Sequence, residues 1–195
     1  MTIYFDTETT GLIPGRIIEL AYVLDYGDNI VCKNFFFAVD YVPESASKIH
    51  GITTEKLKEL SGGKTFSDYA DEIYSDFMSA DLIVAHNVDF DIGFLTAEFS
   101  YLDTAFTYKN KLDTMRYFTP VTKLPRKSGG YKFPKLNEVS EYLEIYPYDA
   151  TRFCIENFKE GTLSFHDARF DTATLYLSVI AQAEKDENLK ALISR

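Results

Sequence analysis

Basic residues are in short supply: 20 lysines and arginines face 30 aspartates and glutamates, for a net charge of -10. That deficit argues against a molecule whose whole surface grips a polyanion. Cysteine is scarcer still. Cys32 and Cys154 lie in apolar, strand-like or helix-like segments and are too few for a disulfide framework, which fits a reducing cytoplasm. No apolar run approaches the roughly 18 residues of a membrane-spanning helix, and no fixed-period repeat points to a solenoid. The opening MTIYFDTETT has neither a basic n-region nor an uninterrupted apolar h-region, so it does not read as a secretory signal. With 195 residues, 46% hydrophobic and 26% charged, the chain has the size and composition for one well-buried core, a single domain over 1–195.

The positive charge is concentrated. Between Lys109 and Lys135 eight basic residues stand against one acid, Asp113, so this segment carries +7 and the remainder -17. Tyr117, Phe118, Tyr131 and Phe133 are interleaved with the basic residues, a mixture suited to phosphate contacts beside base stacking. A solvated basic loop fits the same composition. Within it, KLPRKSGGYKFPK at 123–135, rich in proline and paired glycine, is a candidate substrate-facing loop.

Residues 2–6, 16–25 and 30–39 are rich in β-branched and aromatic residues, with turn chemistry at Tyr26-Gly27-Asp28-Asn29, and predict three strands in an antiparallel meander. Helical signals follow at 53–60, on the stripe Phe66, Ala70, Ile73 and Phe77, at 88–102, after Pro134, and from about His166 or Asp167 towards Lys185. LIVAH at 82–86 and residues 112–114 predict short strands. The expected fold class is α/β, a mixed sheet made of the meander extended by short strands, with helices packed on it.

Three stretches carry chemistry. In IYFDTETTGL, residues 3–12, a strand runs into Asp6 and Glu8, which period-two alternation points to one face. Two adjacent carboxylates repel unless a cation lies between them. In AHNVDFDIGFL, residues 85–95, Asp91 falls in a first helical turn, where the macrodipole favours its charge and a structural role also fits. In FHDARFDTATLYL, residues 165–177, Asp171 stands between apolar positions of a helix, where burial without a partner is costly. Four carboxylates and one histidine, His166, suit magnesium or manganese; zinc favours nitrogen and sulfur. Two such ions would clamp the attacking and leaving oxygens of a phosphoryl displacement.

DTETTGL, HNVDFDIGF and HDARFD together resemble the three motifs of the DEDDh (DnaQ-like) 3'-to-5' exonucleases, an RNase H-like family that includes polymerase proofreading subunits. The resemblance runs over about residues 3–180, through HGITTEKL, LDTMRY and KLNEVSEYLEI. It implies that Asp6, Glu8 and Asp171 hold the nucleophile-side metal, that Asp6 bridges to a second metal, and that Asp91 holds that second ion. His166 would be the general base, a role for which a side chain titrating near neutral pH is suited. Thr9, Leu12, His50, His86, Asn87 and Phe90 would line the pocket for the terminal nucleotide, although Leu12 and Phe90 also suit the core and His86 and Asn87 a strand-end cap. The implied substrate is the 3' end of single-stranded or frayed DNA, with a DNA polymerase as a candidate partner. RNA as substrate, or a silent binding module on the same fold, are the alternatives. The sequence departs from the family at Asp167, where a glycine is usual; this acid either acts on His166 or serves the helix N-terminus.

Overall fold

The computed structural model describes residues 1–12, 15–159 and 166–194; Phe165 of the third motif lies outside them. The expected mixed sheet is present. Strands β1 (Thr2–Thr9), β2 (Ile17–Asp25) and β3 (Ile30–Phe36) form the antiparallel meander, and β4 (Leu82–Ala85) and β5 (Lys111–Asp113) extend it in parallel on the other side of β1, in the order β3-β2-β1-β4-β5. A buried four-residue strand such as LIVA reads as a continuous apolar run because both of its faces are covered.

The helices are α1 (Glu44–His50), α2 (Thr54–Ser61), α3 (Ala70–Ser79), α4 (Val88–Ser100), α5 (Thr114–Thr122), α6 (Leu136–Tyr142), α7 (Pro147–Asn157), α8 (Ala168–Ala183) and α9 (Glu187–Ile193). One core lies where Ile3, Phe5 and Tyr22 meet Ile73 and Phe77 of α3 and Phe94 of α4. A second lies on the opposite face, where Tyr4 and Val23 meet Phe153 of α7 and Phe170, Ala173 and Val179 of α8. The stripe from Phe66 to Phe77 is not one helix. The Asp68 carboxylate accepts the Thr65 N–H at 2.8 Å, closing a separate 3-10 turn at Phe66–Asp68 before α3 begins. Gly51 takes φ 72° at the end of α1, a left-handed conformation in which glycine carries no Cβ penalty, and the chain reverses there into α2.

Candidate active site

Alternation along β1 sets the site. Ile3 and Phe5 enter one core and Tyr4 the other, so Asp6 and Glu8 continue the Tyr4 row and leave the sheet towards α8. Glu19 of β2 is registered directly opposite Glu8, and a bulge follows at Glu8/Thr9, a common device for re-aiming side chains beside a site. Asp171 comes from the first turn of α8, because that helix begins at Ala168 and not at His166. Asp91 comes from the first turn of α4, and the Thr7 hydroxyl donates to its Oδ1 at 2.6 Å.

Acids from four elements therefore share one place. Glu8, Glu19, Asp91 and Asp171 are each no more than 9% exposed, so water screens them little. Burial is the main cause pushing these carboxyls up, to about 9 at Glu8 and about 7 at Asp91 and Asp171, with Asp6 well above its ordinary range. The charge of Asp171 adds to the effect at Asp6 and Glu8. The Thr7 bond relieves it in part at Asp91, and the amide of His166 does so at Asp171.

His166 precedes α8 in a left-handed backbone conformation, φ 68°, exposed to solvent. Its backbone N–H donates to Asp171 Oδ2 at 3.1 Å. One ligand atom each from Glu8, His166 and Asp171 lie within 4.8 Å of one another. Asp171 Oδ1 is buried with no hydrogen-bond partner. An orphaned carboxylate oxygen among like charges is one that a hard divalent cation would satisfy.

The acids lie between two clefts. One, of about 370 Å³, is lined by Thr7, Glu8, Thr9, Leu12, His50 and Phe90 among others. Leu12 is 81% exposed and is a rim residue, not core. Gly11, at φ 145°, places its carbonyl to accept from the Thr9 hydroxyl at 2.8 Å. The other cleft, of about 490 Å³, is lined by His86, Phe133, Pro134, Lys135, His166 and Asp171 among others. Four of the residues assigned to the nucleotide pocket by sequence, Thr9, Leu12, His50 and Phe90, are thus brought together, whereas His86 faces the second cleft and Asn87 lines neither. Burial favours the neutral form of the His86 ring. It donates from Nε2 to the Pro134 carbonyl at 2.9 Å and accepts at Nδ1 from the Thr114 hydroxyl at 3.0 Å. Asn87 takes φ 72° before α4, and its N–H donates to Asp113 Oδ1 at 3.1 Å.

The sequence matches the family described as exonuclease (RNase_T) over residues 3–147. The PolC-type DNA polymerase III of Bacillus subtilis is 31% identical over 179 residues, covering 85% of this chain and 12% of the relative. The epsilon subunit of DNA polymerase III from Rickettsia felis is 35% identical over 123 residues, covering 58% of this chain and 52% of that one. Escherichia coli Exonuclease I, solved in complex with a dA16 oligonucleotide, has the same fold, with a TM-score of 0.71 at 17% identity over 96% of this chain and 41% of that one. The chain belongs to the exonuclease family. The DnaQ-like resemblance drawn from the three motifs is borne out. This chain spans about half of the epsilon relative and a small part of the PolC one.

The family match holds the first two motifs; the third lies beyond residue 147, and α8 carries it back beside their acids. Glu19 is the acid that the sequence motifs do not mark. The signal for it is a lone carboxylate inside the otherwise apolar strand IIELAYVL, which cannot be buried without a partner. That partner is Arg169, whose Nε lies 3.4 Å from Glu19 Oε1, while the Ala168 N–H donates to Glu19 Oε2 at 3.4 Å. Burial outweighs the arginine and raises the Glu19 carboxyl to about 8. The question left by Asp167 has a structural answer: it caps α8 by accepting the Arg169 N–H at 3.1 Å and pairs with the guanidinium at two points, 3.0 and 2.8 Å. The guanidinium also covers the Phe36 ring, 5.3 Å from its centroid.

Proposed function

We propose that this exonuclease removes nucleotides one at a time from the 3' end of single-stranded or frayed DNA. It would release nucleoside 5'-monophosphates and use two magnesium or manganese ions held by Asp6, Glu8, Asp91 and Asp171. The observation that carries this is the convergence of buried carboxylates beside His166, between two clefts. Divalent ions bound there supply positive charge for the scissile phosphate and for its attacking and leaving oxygens. That supply is how an acidic site accepts a polyanion.

The rest falls to side chains of this chain. Asp6, Glu8 and Asp171 serve the nucleophile side, Asp6 is shared, and Asp91, steadied by Thr7, serves the leaving side. His166 takes the proton of the attacking water as its oxygen bonds to phosphorus. The bond from phosphorus to the 3'-oxygen then breaks, and that oxygen takes a proton from solvent, leaving a strand one nucleotide shorter with a new 3'-hydroxyl. Thr9, Leu12, His50 and Phe90 line the cleft into which the terminal nucleotide fits. The relatives named as DNA polymerase III components, and the neighbour solved with a DNA strand, support DNA as substrate and a DNA polymerase as partner.

The test is a time course on 5'-labelled single-stranded DNA with and without chelator, run beside an unlabelled RNA competitor. The expected result is a ladder shrinking from the 3' end only when the divalent ion is present, undiminished by RNA. His166→Ala should lower kcat by about 100- to 10,000-fold. Shortening that survives chelation, or that Asp6→Ala leaves unchanged, contradicts the reading.

A further inference from the structure

A phosphodiester cut beside the acids has a nucleotide on each side of it. If the last nucleotide occupies the cleft at Thr9 and Phe90, the strand leading to it must leave by the other, past Phe133 and Lys135. Lys135 lines that exit, Arg116 stands beside Phe133, and the basic hairpin 123–132 immediately precedes them in the chain. Lys109, Lys111, Arg116 and Lys132 are paired with Asp81, Asp89, Asp113 and Glu138. Lys123, Arg126, Lys127 and Lys135 are exposed and, among the described residues, have no carboxylate within ion-pair distance. Lys135 lies in the field of Glu138, and Lys123, Arg126 and Lys127 are turned to solvent, where a polyanion can meet them.

Phe133 is 55% exposed at the mouth of this cleft, yet its backbone is fixed on both sides. Before it, a hairpin is closed by the Pro125–Tyr131 bridge and by the Lys132 N–H donating to the Leu124 carbonyl at 2.9 Å, and Lys132 is anchored to Glu138. After it, the Pro134 carbonyl is held by His86. The Arg116 guanidinium lies 5.9 Å from the Phe133 ring centroid. An exposed aromatic ring on a fixed backbone, flanked by a planar cation and followed by a lysine, is the chemistry that binds single strands, by stacking on any base and neutralising phosphates.

We propose that this hairpin and Phe133 form a track for the single-stranded DNA 5' to the terminal nucleotide, with the Phe133 ring stacking on a base of that segment. The inference rests on the exonuclease reading of the acids and adds to it a source of affinity that depends on strand length.

Two substrates separate the ideas: a p-nitrophenyl ester of a nucleoside 5'-monophosphate, which has no upstream strand, and a single-stranded decanucleotide. For the intact chain, KM should be much lower for the decanucleotide than for a dinucleotide. Phe133→Ala should raise KM for the decanucleotide by roughly 5- to 150-fold, the range of one lost base stack, with kcat preserved and the ester affected far less. Arg126→Gln with Lys135→Gln should flatten the dependence of log(kcat/KM) on log[salt] by about 0.7 for each phosphate that is no longer neutralised. If the intact chain cleaves the ester but Phe133→Ala leaves decanucleotide KM unchanged, or impairs ester and decanucleotide equally, the track is wrong and the active-site reading stands. If the intact chain hydrolyses neither substrate with magnesium or manganese, the exonuclease reading itself fails.

Discussion

At the scale of single residues, the site is a set of carboxyls held away from their preferred state. A carboxyl whose pKa rises on folding binds its proton more tightly in the folded chain than in the unfolded one. Its contribution to stability is therefore complete below the unfolded value, near 4, and is lost as pH climbs through the folded one, about 7 for Asp91 and Asp171 and about 9 for Glu8. Without divalent ions, Tm should fall steadily from pH about 4 to about 9. Magnesium or manganese, by favouring the ionised carboxylates, should raise Tm by an amount that grows across the same window. Asp6→Asn removes one of the crowded charges and should stabilise the metal-free chain at neutral pH by about 1–2 kcal/mol while abolishing activity. Thermal unfolding with chelator and with metal measures all of this; a metal-free Tm that rises with pH would contradict it.

At the scale of elements, two ties place the proposed catalytic groups. The first joins β2 to the start of α8 through Glu19, Arg169 and Asp167. Glu19 is fully buried and its carboxyl is held at about 8 with Arg169 beside it, so above that pH Arg169→Met leaves an uncompensated carboxylate and should cost about 3 kcal/mol. The double variant with Glu19→Gln should recover much of that stability, a coupling that denaturant unfolding of the four-member cycle resolves. Purely additive losses would show that the pair does not act as one. The second tie is His86, which joins the end of β4 to α5 and to the entry of α6. His86→Ala should lower stability by about 1–2 kcal/mol through removal of its two hydrogen bonds. Hydrolysis of a mononucleotide ester should show a near-normal KM, because His86 does not line the cleft that contains Thr9 and His50. A large rise in that KM would return His86 to the terminal-nucleotide pocket.

Elements with long uninterrupted patterns were readable from sequence: the meander, LIVA, α4 and α8 carry continuous β-branched or aromatic runs or broad apolar faces. Others were not, for identifiable reasons. Helix α5 contains Pro120, which removes a backbone donor and masks the pattern. Helix α1 buries only Ala46, too little for a stripe to show. Within the site, Asp6, Glu8, Asp91 and Asp171 were legible because each breaks an apolar pattern inside a recognisable motif. Glu19 breaks a pattern as well, but what it needs, Arg169, is about 150 positions away in the chain, and no local spacing announces that pairing. The role of Asp167 was hidden in the same way, since its choice between His166 and the helix N-terminus is made by side-chain geometry.

At the scale of the whole molecule, acids gather at the end of β1 and the starts of α4 and α8, one of them sharing a cleft with Phe133 and Lys135 just after the basic hairpin, and the net charge conceals this division. Opposed fields of this kind make sense if the acidic end is neutralised by bound cations before a polyanion arrives. The most direct measurement is calorimetric titration of the metal-free chain with manganese at neutral pH. Two ions should bind per chain, with proton release as the raised carboxyls ionise, and Asp6→Asn should lose both tight sites. A chain that takes up no manganese, or binds it equally well without Asp6, would contradict the account.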